Sequence, residues 1–398
     1  MRTLSADQGL AGAVHKHSLT QSAASIEGLA ADLVGLHNTM QPSPYLSVRA
    51  RHDGFARSQL DELMWGSWQL ARLRSMRLTM FIFPRDLLEV AAAATRRLSE
   101  NLALRWLADS GMTPAEFEHL ADAVDDALGD GPLTSRALRR RLGVPQSIDL
   151  PGVVGRMCDI GRLVGGAPPR SWRSSVRQYH RWNDVLPGVD LHRWKEDDAI
   201  RELIRRYIRS YGPVTVDDMS WWTGFTKGRC RVAIGGLDLE EVAVDDWPRP
   251  LYRTTGDLIT DDPADAVKAL PPLDPYVQGY RDRVRFLDPD RHGFVYDGGG
   301  NSAPTLLHQG RIIGVWQVSD DPELSVRYHL FAKQPASIRR AAEADLAAAG
   351  HMYFDRAVNV IDVTEMLPLR DGGGRSASHP LDSTVHRASR RAPGAAVP

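Results

Sequence analysis

Residues 199–234 constrain the fold more than any other stretch of the chain. Ala199 to Ser210 has the apolar spacing of an amphipathic helix, and Gly212-Pro213 stops it. Val214 to Trp222 reads as a second, capped helix. Thr223-Gly224-Phe225 is a turn, and Lys227 to Ile234 is helical again. Two short helices joined through a glycine-bearing turn form a helix-turn-helix. Leu239 to Leu251 then alternates like a β-ribbon, so helices followed by a ribbon spell a winged helix.

The same order occurs twice upstream. Ser25 to Leu36, Tyr45 to Arg51 and Ser58 to Trp68 read as helices, with Met40 to Pro44 interrupting them. Leu70 to Phe83 is then a ribbon rich in β-formers and arginine. Glu89 to Ala108, the segment after Pro114, Leu133 to Gly143 and Asp149 to Leu163 are helical, and Gly165 to Trp182 is a second wing. From Leu273 the pattern changes to a hairpin turning at Gln309-Gly310, a strand from Glu323 to Phe331 and a helix from Ser337 to Ala349. The expected fold class is α+β, with tandem winged helix-turn-helix domains before a small C-terminal β-barrel. Its expected boundaries are 1–88, 89–190 and 191–265 for the winged helices and 266–370 for the barrel-like domain. Residues 1–18 are expected to fray, and 371–398, rich in Gly, Ser, Arg, His and Pro, to be a disordered tail.

Net charge is only −1, so no polycationic signal covers the whole chain. Lysine occurs only at Lys16, Lys195, Lys227, Lys268 and Lys333, so arginine supplies 44 of the 49 basic residues. A GC-rich genome and a phosphate-bearing partner both produce that bias, since arginine is the better bidentate phosphate ligand. Cys158 and Cys230 have no metal-ligand spacing and fit a reducing, cytoplasmic setting. No apolar run approaches the ~20 residues needed to cross a bilayer, and the N-terminus lacks a secretory core. The histidines form no metal constellation and no heptad run predicts a dimer, so a monomer without metal or other cofactor is expected.

Several segments, taken in order, resemble the AlkZ/YcaQ-type winged-helix superfamily. They are Gly35 to Gln41, Tyr45 to Arg51, Met76 to Pro84, Arg170 to Ser174, the third helix-turn-helix and Leu273 to Arg283, spread over residues 20 to 365. The resemblance implies a DNA glycosylase that excises alkylated purines or unhooks interstrand crosslinks, with double-stranded DNA as its partner. The family's active residues lie in a Gln-x-Gln or Gln-x-Asp motif; those two positions fall here on His37 and Thr39, a His-x-Thr variant.

His37 and Thr39 are therefore the candidate catalytic pair, His37 positioning or deprotonating the attacking water and Thr39 supporting it. Alternatively they only close the helix before Pro42. Candidate DNA contacts are Arg49 and Arg51, Arg72, Arg74 and Arg77 in the first wing, Arg170 and Arg173 in the second, and Tyr280, Arg281 and Arg283; alternatively Asp282 only holds one of these last arginines in a structural ion pair. Arg72 and Arg74 share one strand face. Trp172 is assigned to stacking or packing, Trp221 and Trp222 to the helix-turn-helix core, and Asp297 to Asn301 to a loop rather than a phosphate cradle. The competing functions are a non-catalytic DNA binder, acting as transcription regulator or lesion sensor, and a protein that sequesters a DNA-reactive compound.

Overall fold

The computed structural model describes residues 2–369, apart from Arg249, Ala264, Asp321, Pro322, Glu365 and Leu367. The expected tail at 371–398 lies outside the described residues.

Residues 2–16 form regular elements and are not frayed. Arg2–Leu4 forms β1, and α1 (Ala6–Lys16) opens with a capping box between Ser5 and Gln8. Leu10, Ala11, Ala13 and Val14 turn inward along α1. The polar composition concealed this stripe, because its burial partners come from distant segments, with Trp247 against Gly9 and Gly310 against Leu10 and Val14.

In the first unit, α2 (Ile26–Asp32) is followed by β2 (Leu36–His37), α3 (Ser43–Arg49), α4 (Arg57–Asp61), β3 (Leu70–Arg74) and β4 (Met80–Pro84). The sheet order is β2-β4-β3, all antiparallel. Leu36 was expected to end a helix, but the chain turns before it, at Val34 (φ 56°) and Gly35 (φ 99°). A Cβ on Gly35 would sit 2.5 Å from the Phe83 ring, so glycine is required there twice over.

The second unit runs α5 (Arg85–Ser110), α6 (Pro114–Ala127), β5 (Leu133–Thr134), α7 (Ser135–Leu142), α8 (Leu150–Asp159), β6 (Leu163–Gly165) and β7 (Gln178–Arg181). Its own core gathers Phe117, Val124, Leu138, Val153 and Met157, and its sheet order is β5-β7-β6. After α9 (Trp182–Val185) come α10 (Glu196–Tyr211), α11 (Val216–Thr223), α12 (Lys227–Ile234), β8 (Leu239–Val244) and β9 (Leu251–Thr254). Gly224 ends α11 in the left-handed conformation (φ 81°), which makes the tight turn of the helix-turn-helix. β1 completes this sheet by pairing in parallel with β8, Thr3 opposite Ala243.

The C-terminal unit comprises β10 (Val267–Leu270), α13 (Pro275–Gln278), α14 (His292–Val295), β11 (Thr305–His308), β12 (Arg311–Ser319), β13 (Ser325–Leu330), α15 (Ala336–Phe354) and β14 (Asn359–Asp362). Its five strands lie in the order β10-β11-β12-β13-β14, and the sheet stays open, so the expected β-barrel is corrected. Two features remove the need for closure. α15 covers the apolar face, where Ile338, Ala342, Leu346 and Ala349 pack with Val267, Trp316, Val326 and Tyr328. Edge strand β10 is satisfied by side chains: the Ala269 amide donates to Asp345 (2.6 Å) and Arg49 donates to the Ala269 carbonyl (3.2 Å).

Candidate active site

Strand β2 places His37 opposite Phe81 in the first-unit sheet, its ring edge-on to the phenyl at 4.9 Å. It faces a narrow cavity of about 20 Å³, lined also by Arg77, Thr79, Phe81, Trp222 and Gln278. That volume holds about one water molecule. The Thr39 amide faces His37 Nδ1 at 3.4 Å. An amide only donates, so Nδ1 is the acceptor and the ring proton resides on Nε2. The Thr39 side chain turns the other way and accepts from the Met80 amide at 3.4 Å.

Burial, then the nearby Arg77 charge, pushes the His37 pKa down to about 3. His37 is thus neutral across the physiological range and too weakly basic to deprotonate water; its Nε2–H can hold a water through the oxygen. The same shift sets a stability trend. An unfolded histidine titrates near 6.5, so between pH 6.5 and 3 the unfolded chain binds the extra proton. Stability is full above 6.5 and is lost as pH falls. At pH 5 the loss due to His37 is expected to be about 2 kcal/mol. Urea unfolding of wild type and His37→Gln at pH 8 and pH 5 checks this: the variant should lose that much less, and equal losses would discard the buried neutral ring.

The candidate DNA contacts fall into three groups, the first of which, Arg49, Arg51, Arg72, Arg74 and Tyr280, is turned into the protein itself. Arg49, Arg51 and Tyr280 are structural. Arg49 forms a bidentate pair with Asp345 at 2.8 Å. Arg51 and Asp274 are paired at 2.6 Å with neither side chain exposed. Tyr280 is buried and donates to the Tyr211 carbonyl at 3.0 Å. These three were expected on a DNA surface; instead their polar groups are spent on the protein interior. Arg72 and Arg74 do share one face of β3, but that face lies against the second unit. Arg72 bonds Asn38 and approaches Gly165, and Arg74 reaches Asp159 at 3.5 Å.

The second group sits on the wing between β6 and β7. Arg170 is exposed, and Arg173 lies over the rings of Tyr353 and Phe354 at the end of α15. Trp172 packs edge-on against Tyr45 and Tyr353 at 5.0 and 6.1 Å, so this loop spans from the second unit to the first and the last. The third group is the one the fold assembles beside His37: Arg77, Arg281 and Arg283 gather round Trp221.

Trp221 and Trp222 part company. Trp222 is core, stacked on Tyr207 at 4.7 Å. Trp221, one residue earlier and so about 100° round the helix, carries the arginines instead. Its role was missed because two adjacent tryptophans in a helix-turn-helix read alike. Gln278 was also missed as a site residue, although it lies within the Leu273 to Arg283 segment. It lines the His37 cavity, and both ends of its amide are held, by Gly300 (2.9 Å) and Ser302 (3.2 Å).

Among the described residues no group of three metal-ligating side chains is found, and no helix is long and apolar enough to cross a membrane. The family model described as DNA glycosylase AlkZ-like matches residues 30–354. The chain belongs to the AlkZ-like DNA glycosylase family. This AlkZ-like protein is similar to an interstrand DNA cross-link repair glycosylase of Streptomyces sahachiroi, 26% identical over 236 residues. That match covers 54% of this chain and spans 61% of the curated relative's length. Its fold is similar to the solved structure of Streptomyces sahachiroi DNA glycosylase AlkZ, with a TM-score of 0.73 and 20% identity. The likeness covers 91% of the AlkZ-like chain and 100% of the solved one, and at that identity it speaks for the fold.

Proposed function

We propose that this protein is a DNA N-glycosylase acting on alkylated purines in double-stranded DNA, crosslinked purines included. One observation carries the reading: a neutral histidine faces a cavity of one-water size, in a chain of the AlkZ-like family. An alkylated purine is already cationic, so the bond from C1′ to the base breaks with its electron pair going to a neutral leaving group. Water then bonds to C1′ and releases its proton to solvent. Such a reaction needs a held water more than a strong base, and that is what His37 supplies through Nε2–H. Thr39 fixes the ring through its backbone amide. His37 and Thr39 thereby stand in for the family's Gln-x-Gln or Gln-x-Asp pair. A cavity of about 20 Å³ cannot admit a purine. The damaged base stays at its mouth, where a bulky adduct or a crosslink is not sterically excluded.

The test is base release from duplexes carrying N7-alkylguanine, N3-alkyladenine or a nitrogen-mustard crosslink. His37→Ala should slow release about 100-fold, the usual penalty for losing the geometry of a reacting group. Wild-type release should show no inflection near pH 6.5. Unchanged release in the variant would remove His37 from the chemistry. No release by wild type, with salt-sensitive DNA binding retained, would favour a non-catalytic lesion sensor or regulator.

A further inference from the structure

Three guanidinium groups from two distant segments converge on one indole. The central carbons of Arg77, Arg283 and Arg281 lie 3.9, 5.1 and 5.5 Å from the centre of the Trp221 ring. Neighbouring Arg285 is neutralised by Asp218, but among the described residues none of these three has a carboxylate partner. The nearby acids bond elsewhere. Asp297 accepts from the amides of Gly299 and Asn301, both at 2.9 Å, and from the Asn301 side chain. One oxygen of Asp282 accepts from the Val284 amide, while the other is buried without a partner among the described residues. Mutual repulsion is visible too: burial and then Arg283 depress the Arg77 pKa, with Asp297 opposing in part.

The protein also leaves most of the available N–H groups unused. A guanidinium carries five. Arg77 makes one long contact, 3.5 Å to the Gly299 carbonyl. Arg283 reaches the Gly300 carbonyl (3.3 Å) and His292 Nε2 (3.1 Å), while its own Nε is buried without a partner. The Trp221 indole N–H is likewise buried and unpartnered. Gly300, at φ 75°, lies so close that a Cβ would stand 2.6 Å from the indole. The glycine-rich 297–301 loop therefore acts through its carbonyls, holding the arginines in place.

We infer that Arg77, Arg281 and Arg283, supported on Trp221, clamp one backbone phosphate of the strand bearing the damaged nucleotide. The identity of the ligand rests on the excision reading above. A phosphate suits the site better than a base, because the indole is already covered by guanidinium groups and planar forks match phosphate oxygens. Arg77 also lines the His37 cavity, so the clamped phosphate adjoins the sugar under attack.

Single uncharged methylphosphonates, stepped through a duplex around an excision-resistant N7-alkylguanine, test the clamp by fluorescence anisotropy. Arg281→Ala is the informative variant, because this side chain is exposed and forms no hydrogen bond among the described residues. One methylphosphonate beside the lesion should weaken wild-type binding about tenfold and cost Arg281→Ala clearly less, since only Arg77 and Arg283 then remain on that phosphate. The variant's slope of log affinity against log salt should fall by about one unit, and Arg281→Lys should be intermediate. Equal penalties in wild type and Arg281→Ala at every position would overturn the clamp, as would an unchanged salt slope. Inorganic phosphate at matched ionic strength should not displace the duplex. Displacement from wild type but not from Arg281→Ala would mark a free-anion site and end the assignment to DNA. Base release from a cleavable duplex, measured alongside, separates the two claims. Coupling without release would leave the clamp and remove the glycosylase; release without coupling would do the reverse.

Discussion

Replacing Arg51 with alanine is expected to lower stability by roughly 3–5 kcal/mol, because it strands a buried carboxylate. Arg51 donates to His17 O (2.9 Å), Ser47 Oγ (2.9 Å) and both oxygens of Asp274 (2.8 and 2.6 Å). Asp274 also accepts from Ser47 Oγ at 2.9 Å and caps α13 through the Tyr276 amide at 3.0 Å. One guanidinium thus ties the end of α1, helix α3 and the start of α13 together. Its removal leaves Asp274 charged, fully buried and short of its counterion. Removing both charges in Arg51→Met with Asp274→Leu should cost far less than the single change, since no ion is then left unpaired. Urea midpoints for the three proteins decide the matter. A loss below about 1 kcal/mol for Arg51→Ala would show that the pair does not anchor the units.

Asp218→Ala should destabilise by a similar ~3–5 kcal/mol and in addition weaken DNA binding. Asp218 caps α11 through Thr215, accepting from its amide (2.9 Å) and hydroxyl (3.0 Å). It holds the buried Arg285 at 2.9 Å and accepts from the amides of Arg281 (2.7 Å) and Asp282 (3.2 Å). The residue therefore fastens the helix-turn-helix to the segment that carries two arginines of the proposed clamp. Asp218→Asn keeps an acceptor for the amides but loses the charge opposite Arg285, so it should fall between wild type and alanine. Unfolding midpoints and the affinity for alkylated duplex, measured on both variants, should rank in that order. If Asn and Ala behaved alike in binding, charge alone would be the source of the effect and backbone positioning would be excluded.

These two anchors show where sequence reasoning stopped. Arg51 and Arg49 were read as DNA contacts because each is an arginine in a segment resembling a DNA-binding family. Their partners, Asp274 and Asp345, lie 223 and 296 residues further on. Nothing within a few residues of Arg51 distinguishes it from Arg281, yet one is sealed in the core and the other is open. His37 was singled out through the resemblance, but its lack of basicity follows from burial and Arg77, neither visible in its neighbours along the chain. Trp221 was assigned to the core because its environment is made by Arg77, Arg283 and Gly300 from other segments.

By itself the sequence determined the local elements: the capped helix and glycine turn at 215–224, the arginine-bearing ribbon from Leu70 to Phe83, and the alternating hairpin around Gln309-Gly310. Capping, φ preference and hydrophobic period act over a few residues, so they can be read in a single line of text. Tertiary structure decided that the last sheet stays open, that residues 2–16 join the third unit, and which arginines are neutralised. A charged group's energy depends on its solvation and its counterions, and only packing between distant segments sets either one.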